Sequence, residues 1–369
     1  MKKKVIQLIH GFTMGGAETL VKEYCLNLDK EKFDVSVLCF YKYDSPYEKI
    51  LEENGIKIIY IDEYQMRKKN GKLKNALSIV NRYFYVRNYL KQEKPDVIHS
   101  HLTLNNYVLF SRPKAGTKIV HTVHSEPQKL WNKKFSRRLD FYAAKKLAHK
   151  YDMRFIVLHE KMRNEINALF EVKDSVVLNN GIDFKRFEEA MSKEEVRVRL
   201  NIPQNAYVIG HVGRFSPQKN HKLIVEVFEK VCEKRKNAFL MFVGNGQTKS
   251  VIQKLLVEKG LKEKSLILSD RTDIPDLLSA MDLFTLPSCH EGLGISLIEA
   301  QKMKLPCVVS DTIPDGAIIS NLVKKISLKE SLECWAECLI SHKVDEVEYR
   351  GLNEWDMQYV INELQKIYD

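Results

Sequence analysis

The stretch Glu291-Gly292-Leu293-Gly294-Ile295-Ser296-Leu297-Ile298-Glu299-Ala300 holds two glycines, then an apolar helix-forming run, with a carboxylate at either end. Glycines let a backbone approach a ligand closely. A helix start behind them offers unpaired N–H groups and the positive end of a helix dipole, which together suit a phosphate. Glu291 is expected on the loop and Glu299 about two turns inside the helix. At ~1.5 Å of rise per residue their backbone anchors then stand roughly 12 Å apart. That span suits one elongated polar ligand better than one metal ion. A phosphate at the helix end, with hydroxyl-bearing rings on either side, would use both carboxylates as hydrogen-bond acceptors. A nucleotide-sugar has that shape.

Leu286-Pro287-Ser288 precedes the stretch and Leu305-Pro306-Cys307-Val308-Val309-Ser310-Asp311 follows it. Short apolar runs alternate with helical segments along the whole chain. Strands are expected at Val5–Ile9, Val35–Phe40, Ile56–Ile61, Val97–Ser100, Ile119–Val123 and Phe155–Leu158, with helices over 17–28, 45–54, 73–93, 136–149 and 160–170. The pattern repeats with strands at Ser175–Leu178, Val208–Val212, Phe239–Val243, Leu266–Ser269, Leu283–Leu286 and Cys307–Ser310. Alternation on this spacing means βαβ units and parallel sheets. At 369 residues the chain fits two such domains. The expected boundaries are 1–175, 176–350 and a C-terminal helix within 351–369, with ligands at the strand carboxyl ends.

Apolar residues make up 44% and charged residues 29%, as in a soluble globular protein. No apolar run is long enough to span a bilayer. The first apolar segment is too short and polar for a signal peptide and reads as a buried strand. Seven cysteines without a Cys-x-x-Cys argue for a reducing cytoplasm and against a zinc site. Formal net charge is +11, and the first half carries all of it. The densest part, Arg112 to Arg163, has 14 basic and 4 acidic residues. Such an asymmetry implies a polyanionic neighbour for that half. No nucleic-acid-binding module or interleaved aromatic platform accompanies it.

Several further segments can carry chemistry. Gly213-Arg214-Phe215-Ser216-Pro217-Gln218-Lys219-Asn220 puts two cations on a loop after a strand, where they can converge on a diphosphate. Gly15-Gly16-Ala17-Glu18 lies between the first strand and the first helix; it is not a dinucleotide fingerprint, but it suits a phosphate at a helix start. His121-Thr122-Val123-His124 ends a strand, and a spacing of three turns the two rings to opposite faces. That spacing, with no third ligand and no Asp-x-Asp, argues against a metal. His99 and His101 are as well explained by a structural role as by ligand contact.

Taken together, these segments resemble the family 4 glycosyltransferases, retaining enzymes of the GT-B fold, over nearly the whole chain. The likeness is greatest to the subgroup that builds bacterial capsule and exopolysaccharide chains. The Gly-Arg-Phe-x-x-x-Lys segment is similar to the family's Gly-Arg-Leu-x-x-x-Lys-Gly pattern, with Asn220 where Gly is common. Val177-Leu178-Asn179-Asn180-Gly181-Ile182-Asp183 resembles its Asn-Gly-Ile-Asp turn. Gly244-Asn245-Gly246 and Arg271-Thr272-Asp273-Ile274-Pro275 resemble segments near the nucleotide.

The resemblance implies two Rossmann-like domains facing across a cleft, a nucleotide-sugar donor (UDP-linked) and transfer of a hexosyl unit with retention. It implies donor-phosphate contacts from Arg214, Lys219, Gly15 and Gly16, and sugar contacts from His124 and Glu291. Glu299 would hold the ribose, with Gly244, Arg271, Gly292, Leu293, Gly294 and Ile295 lining the donor. No metal or other cofactor is expected. The implied acceptor is a glycan on a polyprenyl diphosphate, which would hold the basic first half against the anionic inner face of the cell membrane as a peripheral, cytoplasmic enzyme. A nucleotide-sugar epimerase and a sugar phosphorylase are alternatives on the same fold; a non-catalytic polyanion-binding protein would leave the loop motifs without a role.

Overall fold

The computed structural model describes residues 2–13, 15–61, 72–131 and 134–369. It divides into two compact units, Met1–Gly181 with Met357–Asp369, and Ile182–Asp356.

The first unit is built on a seven-stranded sheet: β1 (Lys3–Ile9), β2 (Phe33–Cys39), β3 (Lys57–Tyr60), β4 (Val97–His101), β5 (Lys118–Thr122), β6 (Arg154–Val157) and β7 (Val176–Val177). All neighbours are parallel, in the order β3-β2-β1-β4-β5-β6-β7. Val5 of β1 stands between Val35 and Val97. Central strands of such a sheet are covered on both faces, which is why β1 reads as an almost unbroken apolar run.

The second unit repeats the plan with β8 (Tyr207–Val212), β9 (Ala238–Val243), β10 (Ser265–Leu268), β11 (Leu283–Leu286), β12 (Cys307–Ser310) and β13 (Val323–Ile326). Its order is β10-β9-β8-β11-β12-β13, again parallel. Both sheets reverse direction of winding beside their first strand, between β1 and β4 and between β8 and β11. Doubly wound sheets bind ligands in the crevice outside the strand carboxyl ends at such a switch point.

The chain's last helix, Met357–Tyr368, buries Met357, Val360, Ile361, Leu364, Ile367 and Tyr368, a spacing that lines one helical face. That face packs on Val5, Leu20, Tyr24, Leu28 and Phe33 of the first unit. At ~1.5–3 kcal/mol for each buried large apolar side chain, the contact contributes on the order of 10 kcal/mol.

The structure moves the expected boundaries. Val176 and Val177 pair with Ile156 and Val157, so this strand closes the first sheet instead of opening the second unit. The units meet in sequence at Gly181–Ile182, and the return falls at Asp356–Met357 instead of at 350. The expected tail helix is split, with a short 3₁₀ turn at Leu352–Trp355 and the α-helix beginning at Met357. A helix at Asn105–Ser111 and the strand β13 were not anticipated; each is too short to show a decisive period.

Candidate functional site

In the second unit the segments singled out in the sequence gather at the carboxyl ends of β8, β9, β10 and β11. The loop after β8 runs through Gly213, Arg214 and Phe215 into a 3₁₀ turn, Pro217–Lys219, before the helix His221–Lys234. Phe215, fully buried, stacks on the His221 ring at 4.1 Å and anchors the loop from below. The loop after β9 locks into it: Phe215 N–H donates to the Asn245 carbonyl at 2.9 Å, and Thr248 N–H donates to the Phe215 carbonyl at 3.2 Å. Gly244 permits this, since its φ is +151° and a Cβ there would sit 2.1 Å from the Gly213 carbonyl oxygen. Any side chain at 244 must therefore push the two loops apart.

The loop after β11 is tied to the same turn. Gln218 donates from its side-chain amide to the His290 carbonyl at 2.8 Å, and Cys289 N–H donates to the Gln218 carbonyl at 2.8 Å. These bonds bring Lys219 and Glu291 together, with Nζ 2.7 Å from Oε1 and both side chains largely buried. The lysine stem lies across Gly213. Beneath it His211 donates from Nδ1 to the Thr285 carbonyl at 2.8 Å, leaving Nε2 buried and without a partner. Burial holds His211 neutral and lowers the His221 pKa to about 3.

Gly294, with φ +89°, begins the helix Ile295–Lys302, whose first turn has no side-chain cap. Its open N–H groups stand next in the chain to Glu291, Gly292 and the buried Leu293. Glu299 is the fifth residue of this helix, one turn inside and not two, because Glu291 to Gly294 are not helical. It is half-buried. Arg271 is turned to its own loop: its guanidinium makes a two-pronged pair with Asp273, and Arg199 reaches the same carboxylate at 2.9 Å. These hydrogen bonds and charges hold Asp273 below the usual carboxylate range. Arg214 is exposed on the loop after β8.

In the first unit Gly15 precedes the helix Gly16–Asn27 and gives its start no side-chain cap. Thr13 donates to Glu18 Oε1 at 2.6 Å, fastening the loop to the first helical turn. His124 follows β5 and heads a buried chain of hydrogen bonds that the sequence reading did not anticipate. Its Nε2 is 2.9 Å from His101 Nδ1, and His101 Nε2 is 2.8 Å from Gln7 Oε1. The Gln7 amide donates to the Tyr368 hydroxyl at 2.9 Å, and that hydroxyl is 2.6 Å from His99 Nδ1. His99 Nε2 then reaches Thr122 Oγ1 at 2.7 Å.

The orientation of one amide sets the protons on His101 and His124. With Gln7 Oε1 toward His101, the proton on His101 is at Nε2 and its Nδ1 is an acceptor. His124 must then donate from Nε2, which leaves its Nδ1 as a bare acceptor. Gln7, His99 and His101 are fully buried. Burial pushes the pKa of His124 down to about 4 and those of His99 and His101 well below the ordinary histidine range, so the rings are neutral. The signal available in the sequence was Gln7, a polar residue inside the apolar run Val5–Ile9.

His121 joins a separate cluster. Its Nδ1 lies 2.9 Å from Ser100 Oγ, and Asn105 links it to Asp140, which also accepts from Trp131 Nε1 at 2.9 Å. Trp131 is packed between Phe141 and Phe170 and therefore faces inward. Lys133, one of the 14 basic residues between Arg112 and Arg163, lies outside the described residues. Among the described residues, no group of three or more His, Cys, Asp and Glu is arranged to hold a metal ion.

Residues 14–186 match the family described as Glycosyltransferase Family 4, and residues 192–336 match Glycosyl transferases group 1. The chain belongs to the family 4 glycosyltransferases. It is 28% identical over 303 residues to the UDP-Gal:alpha-D-GlcNAc-diphosphoundecaprenol alpha-1,3-galactosyltransferase of Escherichia coli, covering 80% of this chain and 76% of that one. It is 26% identical to EpsF of Bacillus subtilis, which carries the name of a glycosyltransferase, across 92% of this chain and 87% of that protein. Among solved structures, Anabaena HepE in complex with UDP and glucose superposes with a TM-score of 0.71 at 16% identity, over 99% of this chain and 97% of that one. The fold of this glycosyltransferase is GT-B.

Proposed function

We propose that this glycosyltransferase moves a hexosyl unit from a UDP-sugar to a sugar hydroxyl of a glycan carried on a polyprenyl diphosphate, with retention of configuration and without a metal. The observation that carries the reading is the Lys219–Glu291 pair at the switch point of the second sheet, beside an uncapped helix start. A cation and open N–H groups suit the donor diphosphate, and a carboxylate suits sugar hydroxyls. The name of the E. coli relative, with UDP-Gal as donor and a diphosphoundecaprenol-linked sugar as acceptor, supports the choice of substrates. The UDP and glucose in the HepE crystals support the donor class.

In this reading Arg214, Lys219 and the N–H groups at Ile295 stabilise the leaving diphosphate, where charge develops most. Gly15 and Gly16 add backbone N–H groups to it. Gly244, Gly292, Leu293 and Gly294 shape the donor loops, Glu299 accepts from the ribose hydroxyls, and Arg271 braces its loop through Asp273. Glu291 and His124 hold the transferred sugar, with His124 Nδ1 accepting from a hydroxyl. The C1–phosphate bond breaks, the acceptor oxygen bonds to C1 on the same face, and the departing phosphate oxygen takes the acceptor's proton. No protein base is needed, and the cations supply the charge a metal would.

The acceptor lipid would keep the enzyme on the inner face of the cell membrane. Phe135, Leu139 and Tyr142 support this: they recur at helical spacing on the Phe135–Tyr151 helix and are 83%, 41% and 56% exposed, with Lys134, Arg138, Lys146 and Lys150 nearby in sequence. Among the described residues no helix is long and apolar enough to cross a membrane.

A panel of UDP-, GDP- and ADP-sugars in a thermal-shift assay, followed by a transfer assay in EDTA, tests the proposal. A UDP-sugar should stabilise the protein by about 2.7 kcal/mol at a hundred times its Kd, and transfer to a diphosphate-linked sugar should survive EDTA. Failure of every UDP-sugar to bind overturns the donor assignment. Conversion of donor without acceptor points to epimerisation, and a requirement for free phosphate points to phosphorolysis.

A further inference from the structure

A cavity of about 240 Å³ opens in the first unit between the end of the Lys72–Glu93 helix, the end of the Asn105–Ser111 helix and the amino ends of β4 and β5. Its floor is apolar, with Leu90, Pro95, Ile98 and Pro113, and its wall carries Arg87, Lys91, Lys94, Arg112 and Lys114. Among the described residues, no carboxylate lines it. The nearest acids in sequence face elsewhere: Glu93 pairs with Lys4 at 3.2 Å, and Asp96 accepts from the Lys4 backbone N–H at 2.8 Å. None of the five cations has a carboxylate partner among the described residues, although many lysines and arginines elsewhere are paired. Arg87 lies over the Phe110 ring at 5.8 Å, which fixes its guanidinium at the cavity edge.

Two helices end here, and a helix C-terminus favours cations. Each end is equivalent to about half a negative charge, so the two offset roughly one of the five positive charges. An excess of about four charges remains around an apolar floor, with Arg87 half-buried and Lys91, Lys94, Arg112 and Lys114 exposed, so the attraction for an anion is greatest at low salt. The two hydroxyls in the wall do not compete for that role: Ser111 donates to the Val108 carbonyl at 2.7 Å and Thr117 donates to the Pro95 carbonyl at 3.0 Å. The volume is below the ~300 Å³ at which pockets begin to take drug-sized ligands. It fits a small, multiply charged anion.

We propose that this cavity is a binding site for a phosphate-bearing group the size of a phosphomonoester or a diphosphate. It lies at the opposite end of the first sheet from His101 and His124. β4 is five residues long, so at ~3.3 Å per residue the two ends stand roughly 15 Å apart. The site therefore serves something other than the transferred sugar, and it stands independently of the donor and acceptor assigned above. Arg112 and Arg87 can each grip a phosphate with two donors, and the lysines add point charges at the mouth.

Titration with pyrophosphate at low salt, read by thermal shift, tests the proposal on four proteins. These are the unaltered chain, Arg112→Gln with Lys114→Gln, a control of equal charge change on the other unit (Lys236→Gln with Lys329→Gln), and Lys219→Ala to remove binding at the donor loops. Pyrophosphate should stabilise the unaltered chain, the control and Lys219→Ala, and its affinity should fall about tenfold or more in the cavity variant. The vesicle arm identifies the source of the phosphate. Flotation with vesicles of phosphatidylcholine, phosphatidylserine or phosphatidic acid should favour phosphatidic acid and lose that preference in the cavity variant if a lipid headgroup is the ligand. If only pyrophosphate responds, the ligand is a soluble phosphate compound. The site is refuted if neither probe binds, or if the cavity variant and the charge control lose binding alike. Loss in Lys219→Ala alone also refutes it and assigns the pyrophosphate to the donor loops.

Discussion

The switch points of the two sheets present opposite kinds of chemistry. At the first, His101 and His124 are neutral and already hydrogen-bonded in a chain that runs through Gln7, Tyr368 and His99 to Thr122. At the second, the chief contact is an ion pair, Lys219 with Glu291, on loops locked by backbone bonds. A neutral chain fixes donors and acceptors in place before any ligand arrives. A charged pair must exchange partners when a more strongly charged ligand enters. The first arrangement gives direction, and the second gives strength.

Acid should separate the two units most. In the first, His10, His99, His101, His121 and His124 are held below the ordinary histidine pKa, chiefly by burial; in the second, His211 and His221 are. Each titrates near 6.5 when unfolded, and His10 and His124 at about 4 when folded. Between those values the unfolded chain binds the extra proton. Stability is therefore full above pH 6.5 and falls as pH drops toward 4, by up to ~1.4 kcal/mol per histidine per pH unit. Asp140, its pKa raised by burial, acts in the opposite sense but is a single group. Hydrogen exchange followed by mass spectrometry at pH 7, 6 and 5 should find protection lost in peptides of 1–181 before those of 182–356. Equal loss would mean the histidine chain is not a burden on the first unit alone.

Next in size is the exchange of charge at the second switch point. Lys219→Ala should lower turnover by roughly 30-fold to several thousand-fold, the equivalent of about 2–5 kcal/mol. It also leaves Glu291 buried beside no cation, which costs stability. Adding Glu291→Gln should restore the melting temperature without restoring turnover. Recovery of activity in the double variant would show that the lysine serves the pair and not the donor.

How far the sequence spoke differs between these regions in the same way. The strands β11 and β12 were expected to the residue, since short apolar runs between Pro, Gly and Ser leave little freedom in where a strand can lie. Arg214, Lys219 and Glu291 stood out because glycines and strand ends punctuate their loops. The Gln7–Tyr368 bond joins residues 361 positions apart, and no local pattern records such a contact. Val176-Val177 was assigned to the wrong unit because a two-residue edge strand carries no sign of which sheet it will join. Trp131 stands in the most basic part of the sequence, yet its ring packs among Phe141 and Phe170. Composition places a segment on the surface; it does not place each side chain.

A smaller effect should follow from opening the neutral chain. Tyr368→Phe keeps the ring but leaves the Gln7 amide and His99 Nδ1 without their partner, costing about 1–3 kcal/mol of stability. Its distinctive readout is the tautomer of His124, measured by ¹⁵N NMR of the rings. The unaltered chain should show the Nε2–H form, and the variant a mixture, with turnover falling about tenfold and KM little changed. Gln7→Glu should impose a different proton arrangement on His101 and alter the pattern again. An unchanged His124 spectrum in both variants would mean that its tautomer is set locally.

The smallest effect should come from Glu291→Gln on the binding of UDP alone. In the ligand-free chain Glu291 occupies the ammonium of Lys219. Neutralising it releases that ammonium, so UDP should bind within about threefold of the unaltered affinity, or more tightly, while turnover falls because a sugar hydroxyl loses its charged acceptor. Glu299→Ala should do the reverse, weakening UDP itself by about tenfold, the loss of a charge-assisted contact to ribose of ~1.4 kcal/mol. Calorimetry with UDP on the two variants separates the roles. If both lose UDP affinity equally, the carboxylates act on the same part of the donor. If Glu291→Gln alone loses it, the Lys219–Glu291 pair is part of the bound state, and the exchange of partners that distinguishes this switch point from the neutral one does not occur.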